Sequence, residues 1–145
     1  MYPDACVIQT HREPVSIIGS QCSLSAGIAS KFQRNLDLLD VGRFWLEYSR
    51  LGIERGLEAR SEFPSAQIHD VRLSELHARP LETVEEIYRR FDLPLNDSVV
   101  ADIQARIDED PLAQVGEHEY DIADYGLRES EIHDVFAEYR QNFGV

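Results

Sequence analysis

The sequence lacks an apolar run long enough to span a bilayer, and it contains only two cysteines and one lysine. A transmembrane helix needs about 20 consecutive, mostly apolar residues, and the first residues show no basic stretch followed by an apolar one, as a signal peptide would. We therefore expect a cytoplasmic protein that does not bind membranes. Cys6, Cys22 and the five histidines show no metal-ligand spacing, so neither a disulfide framework nor a metal site is expected.

Basic residues are scarce relative to acidic ones. The 145 residues include 14 Lys and Arg against 27 Asp and Glu, which gives a formal net charge of −13. Most of the acidic excess lies between residues 101 and 145. Such a surface would repel nucleic acids and anionic lipids, so neither is expected as a partner. The simplest interpretation of the charge is a solvated acidic face that favours solubility.

Hydrophobic periodicity predicts an α/β protein with two strands and four or five helices, in a single domain over residues 1–145. The strands are predicted near residues 5–10 and 67–71. More than fifty residues with helical periodicity separate them, so we expect a parallel pair with a helical crossover. Parallel sheets normally contain more strands and are covered on both faces, so the domain is expected to be incomplete. The helices are predicted at residues 14–25, 34–63, from 80 onward, 97–108 and from 129 onward.

The segment after the first strand has features of an anion site. In open parallel sheets ligands bind beyond the C-terminal ends of strands, and Arg12 follows such an end. The next helix would direct its first N–H groups into the same space, and Ser16 and Ser20, one helical turn apart, would add hydroxyls. Alternatively, Arg12 pairs with Glu13 or Asp70, and the serines are simply small packing residues. Residue types and spacing leave both interpretations open.

Four stretches of the chain resemble segments of the P-loop sulfotransferases, in the family's order. The first, YPDACVIQTHREPVSIIGS, is similar to a family segment of the form YPDARFVxTHRDPxxxxxS. DVGRFWLEYSRLGIERGLEAR is similar to a family helix with an IGRYW motif. HDVRLSELHARPLETVEEIYRRFDLPL is similar to a strand and helix of the form DVRYEDLxxDPxxTxxxIY, and GEHEYDIADYGLRESEIHDVFAEY to the bacterial ending GRHxYSLEDFGL. Together these stretches span nearly the whole chain.

This resemblance implies part of a P-loop-type sulfotransferase fold. It also implies transfer of a sulfuryl group from 3′-phosphoadenosine 5′-phosphosulfate (PAPS) to a hydroxyl or amine acceptor, either a small molecule or a glycan. By the same resemblance, Arg12 and Ser20 would hold the 3′-phosphate of the nucleotide. Gly116 and His118 are further candidates, because the family covers that phosphate with residues around a glycine near its C-terminus. No catalytic residue is assigned within this chain.

The chain departs from the family pattern in three respects. It contains no Gly-rich loop that ends in lysine, and the family's usual catalytic base lies upstream of the matched segment. The family's Tyr-Glu-Asp sequence reads Leu-Ser-Glu here, so Leu73 replaces a tyrosine that helps to hold the adenine side. Glu117 and Glu119 flank His118 and would repel a phosphate. We therefore expect the chain alone to be inactive, with weakened nucleotide binding.

A second hypothesis comes from a different class of function. The chain would then be a non-catalytic, acidic and mostly helical remnant that binds a protein through its sheet edge or its last helix. On the sulfotransferase interpretation, the expected partners are a complementary N-terminal segment or a second copy of the chain, because an exposed edge strand favours association.

Aromatic residues of the long second helix also allow two interpretations. Trp45 and Tyr48 share an apolar face with Leu38 and Val41 at helical spacing, which is typical of core residues. Alternatively, these aromatic residues line an acceptor pocket. The sequence does not identify the acceptor itself.

Overall fold

The computed structural model describes residues 4–109 and 120–145. Within these residues the chain forms two β-strands and seven α-helices. Contacts divide the chain into two compact units, here called the strand unit (residues 1–11 and 63–117) and the helical unit (residues 12–62 and 118–145). None of the described helices is both long enough and apolar enough to cross a membrane.

Most of the elements lie where the sequence predicts them. In chain order they are β1 (Val7–His11), α1 (Pro14–Ala29), α2 (Leu38–Ser61), β2 (Ile68–Arg72), α3 (Leu73–Ala78), α4 (Pro80–Arg90), α5 (Asp97–Glu109), α6 (Glu129–Val135) and α7 (Ala137–Phe143). Two short 3₁₀ turns span Ser65–Gln67 and Ile122–Tyr125.

The strand unit contains the two-stranded sheet. β1 pairs with β2 in parallel, in a register that runs from Val7 opposite Ile68 to His11 opposite Arg72. This pairing confirms the predicted parallel pair and the α/β class. Ile68 is buried, whereas Ile8 on β1 remains 47% exposed. β2 leads directly into α3, and α4 and α5 follow in the same unit.

The helical unit has a core built from α1, α6, α7 and the segment around the second 3₁₀ turn. α1 packs against α2 and α6, and Pro14 suits its first turn because the missing N–H has no helical partner there. The buried core residues are Ile18, Cys22, Tyr125, Leu127, Ile132, Phe136 and Tyr139.

The structure corrects three details of the sequence-based prediction. α3 was not predicted; it is a separate short helix because Pro80, which has no N–H, begins a new helix after Arg79. The predicted last helix is divided at Phe136, where φ is −107° and ψ is 20°. On α2, the side predicted as core is only partly buried, since Phe44 and Tyr48 are exposed. The single domain expected over residues 1–145 stays a prediction.

Candidate nucleotide-binding site

The site begins with the two residues that connect β1 to α1. β1 ends at His11, and α1 begins at Pro14. Arg12 is exposed, and among the described residues of the helical unit it forms no ion pair or hydrogen bond. Its guanidinium therefore remains available to a ligand, and guanidinium groups suit phosphate because they donate two parallel hydrogen bonds.

Glu13 has a role that the sequence analysis did not assign. Its Oε2 accepts a hydrogen bond of 3.1 Å from the backbone N–H of Ser16 and so caps α1. Its Oε1 lies 3.3 Å from Nε2 of His133 and 3.6 Å from Nε of Arg140. The carboxylate thus connects the start of α1 with α6 and α7, and the Arg140 cation offsets its negative charge beside Arg12.

These contacts reduce the number of backbone N–H groups that the start of α1 can offer to an anion. Pro14 has no N–H, the N–H of Ser16 donates to Oε2 of Glu13, and that of Ile17 donates to the Glu13 carbonyl at 3.3 Å. Free N–H groups and the helix dipole are what make a helix start attractive to anions. Because the protein itself uses most of these donors, the start of α1 has fewer free N–H groups than the sequence analysis expects.

Asp70, the second carboxylate named as an alternative partner of Arg12, also has its own partner. Oδ1 of Asp70 lies 2.8 Å from Nε2 of His11, within the strand unit. The imidazole of His11 is 1% exposed, whereas the Asp70 side chain is 37% exposed. Both acids named in the alternative interpretation, Glu13 and Asp70, therefore have partners other than Arg12.

The serines of α1 lie on a helix whose packing is set by a close aromatic contact. Ser16 and Ser20 are one turn apart, and both are partly buried. The ring of Tyr120 lies against Gly19, where a Cβ would be 2.1 Å from Cε2 of the ring. The hydroxyl of Tyr120 donates a 2.9 Å hydrogen bond to the Ser16 carbonyl. Tyr120 therefore fixes the turn of α1 that presents Ser20.

The remaining predicted site residues fall into two groups. Gly116 and His118 lie outside the described residues, as do Glu117 and Glu119. Leu73 is the partly buried first residue of α3, directly after β2. The structure therefore brings Arg12 and Ser20 into the same helical unit, and their role as a phosphate site stays a prediction.

Trp45 is a partly buried residue packed on the core, as one interpretation predicts, and its role in an acceptor pocket stays a prediction. It packs against the core of the helical unit, and its Nε1–H donates a 2.8 Å hydrogen bond to Oγ of Ser25. It also lines a cavity of about 380 Å³ beside the start of α2.

The contacts of Glu13 and Tyr120 were not predicted from the sequence. Local patterns give little information about the pairing of Glu13 with His133 and Arg140, because their positions are far apart in the chain. A glycine inside a helix was not a sufficient signal for the aromatic contact, because Gly27 on the same helix meets nothing within 4 Å.

Comparison with known proteins shows to which family the chain belongs. The sequence model of the sulfotransferase family matches residues 1–97, more than half of the chain. The chain belongs to the sulfotransferase family. No curated protein matches the sequence.

Two solved sulfotransferases have similar folds. STF9 from Mycobacterium avium superposes with a TM-score of 0.86 and 27% identity, over 99% of this chain and 37% of that one. STF1 from Mycobacterium tuberculosis H37Rv gives a TM-score of 0.78 and 34% identity, over 94% of this chain and 34% of that one. The chain thus spans about a third of the length of these sulfotransferases. The matches confirm a partial sulfotransferase fold and do not favour the interaction-module hypothesis.

Proposed function

We propose that this chain is the nucleotide-holding part of a PAPS-dependent sulfotransferase and that Arg12 and Ser20 bind the 3′-phosphate of the donor. The observation that carries this proposal is that Arg12 is an exposed arginine directly after β1. It is an exposed guanidinium without a partner among the described residues of the helical unit, in a chain with a net charge of −13. Among the described residues Arg55 also lacks a partner, but Arg12 directly follows β1, a strand of the parallel pair, and ligands of open parallel sheets bind beyond such strand ends.

The surroundings of Arg12 support this role. Glu13, the nearest acid in the sequence, lies close to the cation of Arg140, which reduces its repulsion of a phosphate. Ser20 is held on the turn of α1 against which Tyr120 packs. A charged donor and a hydroxyl on a rigid helix are suited to orient a phosphate group.

The proposed reaction moves a sulfuryl group between two nucleophiles. The acceptor hydroxyl or amine forms a bond to sulfur, the bond from sulfur to the 5′-phosphate oxygen breaks, and adenosine 3′,5′-bisphosphate leaves. Negative charge grows on the departing oxygen, so cations and hydrogen-bond donors placed there supply much of the stabilisation. A base must also take the acceptor's proton.

In this proposal Arg12 and Ser20 contribute binding and orientation at the far end of the nucleotide. The loop that holds the phosphosulfate, and the base, would come from sulfotransferase sequence outside these 145 residues, in the same polypeptide or in a second one. We therefore expect no sulfuryl transfer by the chain alone. The acceptor would be a small molecule or a glycan with a hydroxyl or amine group.

Calorimetric titration with adenosine 3′,5′-bisphosphate tests the proposal. Arg12→Ala should weaken binding by about tenfold or more, as expected for a charge-assisted contact, and Ser20→Ala should weaken it less. Arg55→Ala is a matched control, because Arg55 is an exposed arginine of α2 in the same unit.

Adenosine 5′-monophosphate gives a second control, because it lacks the 3′-phosphate. Its affinity should not change on Arg12→Ala. The proposed role is wrong for this chain if the wild type fails to bind the bisphosphate, or if Arg12→Ala and Arg55→Ala bind it equally well.

A further inference from the structure

A cavity of about 380 Å³ opens in the helical unit, next to the start of α2. It is formed by the second half of α1, residues 33–37 and the first two turns of α2. The described lining residues are Ser25, Gln33, Asn35, Leu36, Asp37, Asp40, Val41, Phe44 and Trp45. Its volume falls within the range of small-molecule sites, about 300–1,000 Å³.

One wall of the cavity is aromatic and held in place. The hydrogen bond from Trp45 to Ser25, 2.8 Å long, fixes the indole ring. Phe44 meets Trp45 edge to face, with ring centroids 5.3 Å apart, and stacks on Tyr48 at 5.6 Å. Phe44 is nevertheless 57% exposed. A preformed aromatic wall that still faces water is suited to an apolar, aromatic or cationic ligand group.

The polar part of the cavity carries negative charge. Asp37 and Asp40 are its charged lining residues, and no basic residue is among the described lining residues. Asp40 pairs with Arg43, an exposed residue of the same helix turn. Asp37 accepts a 2.9 Å hydrogen bond from the N–H of Leu39 through Oδ1, and within the described residues it has no ion-pair partner.

The aromatic wall and the acidic side chains together favour cationic ligands over anionic ones. An anion would be repelled by the carboxylate of Asp37, which is in no ion pair within the described residues and whose charge the nearby Arg43 offsets only in part, whereas an ammonium group would be attracted by it and by the aromatic faces. The amides of Gln33 and Asn35 add donors and acceptors that are compatible with either hydroxyl or amine groups.

We propose that this cavity binds an organic cation with an aromatic or apolar body and, resting on the function proposed above, that this compound is the acceptor. The ring packs against Phe44 and Trp45, and the ammonium group lies at Asp37. The proposal goes beyond the nucleotide site, because Arg12 and Ser20 are not among the lining residues.

Tyramine and 4-hydroxyphenylacetate are a matched pair of probes. They share the phenol ring and its hydroxyl group, and they differ in carrying a positive or a negative charge. Trp45 is the only tryptophan of the chain, so intrinsic tryptophan fluorescence reports on this cavity. Tyramine should change the fluorescence saturably and bind about tenfold more tightly than the anion.

Two variants test the assigned contacts. Asp37→Asn keeps an oxygen that caps the Leu39 N–H but removes the charge, so it should weaken tyramine binding severalfold and not that of the anion. Asp134→Asn, which removes an exposed carboxylate of α6 in the same unit, should leave both titrations unchanged. Circular dichroism would verify that each variant is folded.

Three outcomes would overturn the proposal: no saturable change with tyramine, equal affinity for both probes, or tyramine binding that is insensitive to Asp37→Asn. Arg12→Ala should leave the tyramine titration unchanged. Failure of the nucleotide proposal, measured with the bisphosphate, is therefore distinguishable from failure of this one, measured with tyramine.

Discussion

Tyr120 packs so closely on Gly19 that a Cβ at that position would lie 2.1 Å from Cε2 of the ring. The same tyrosine donates its hydroxyl hydrogen to the carbonyl of Ser16, one turn earlier on α1. Two residues that are 104 positions apart, Ser16 and Tyr120, are thereby joined at the helix proposed to hold the nucleotide. The position of Ser20 depends on this contact.

Gly19→Ala should destabilise the protein. The added methyl group must displace the Tyr120 ring, and such overpacking costs about 1–3 kcal/mol, more than the gain of about 1 kcal/mol from replacing a helical glycine by alanine. Urea denaturation measures the difference. Gly27→Ala is the control on the same helix, because a Cβ there meets nothing within 4 Å, and it should stabilise the protein. A Gly19→Ala variant as stable as Gly27→Ala would contradict the contact.

Glu13→Ala should also lower the free energy of unfolding. The change removes the cap on the Ser16 N–H, which is worth about 0.5–2 kcal/mol, and removes the negative charge 3.6 Å from the buried Nε of Arg140, an atom without a hydrogen-bond partner among the described residues. Glu13→Gln should cost less, because an amide oxygen still accepts from the Ser16 N–H. Glu138→Ala, at an exposed site of α7, serves as the control in urea denaturation. Equal stabilities of Glu13→Ala and Glu138→Ala would show that the cap contributes nothing.

The parts of the fold that were predictable are those determined by local patterns. The strand pair and α4 follow from short apolar runs and a helical stripe, and parallel pairing follows from the length of the crossover. The burial of α2 was harder to predict, because its sequence places apolar residues such as Leu46 and Ile53 nearly opposite the face that contains Trp45 and Tyr48. Leu46 and Ile53 pack against the core, whereas Phe44 and Tyr48 remain exposed. Packing partners elsewhere in the chain decide which side of the helix is buried.

The candidate site also has a part that local sequence patterns predict and a part that distant contacts determine. Arg12 and Ser20 were proposed from their spacing and from one short stretch that resembles the family, both of which are local signals, and their role stays a prediction. The partners of Glu13 on α6 and α7 were not, because the spacing of His133 and Arg140 on the last helices does not indicate which distant acid they meet. The cap that Glu13 places on the Ser16 N–H was not predicted, because glutamate is not among the residues preferred at helix N-caps.

Asp70→Ala should destabilise the strand unit. The substitution removes the oxygen that lies 2.8 Å from Nε2 of His11, an imidazole that is 1% exposed. Loss of a hydrogen-bond partner from a buried polar group costs about 1–3 kcal/mol. Asp102→Ala, at an exposed position of α5 in the same unit, should be nearly neutral. If urea denaturation gives both variants the same midpoint, the contact with His11 does not stabilise the unit.

The two thiols should differ strongly in reactivity. Cys22 is 0% exposed in the helical core, and burial raises its pKa to about 11, whereas Cys6 is exposed. At about pH 8 only roughly one Cys22 side chain in a thousand would be thiolate, the form that reacts. An alkylating reagent should therefore modify one thiol per folded chain and two in denaturant. Cys6→Ser should abolish the fast reaction of the folded protein.

The same pKa shift gives the direction of the pH dependence of stability. Because the pKa of Cys22 is higher in the folded state than in the unfolded one, its contribution is complete below the unfolded pKa and is lost as the pH rises towards about 11. Cys22→Ala, compared with Cys6→Ala in urea at neutral and at alkaline pH, isolates this contribution. Fast alkylation of both thiols in the folded protein would mean that Cys22 is accessible to solvent and that the packing of α1 against α6 is looser than described.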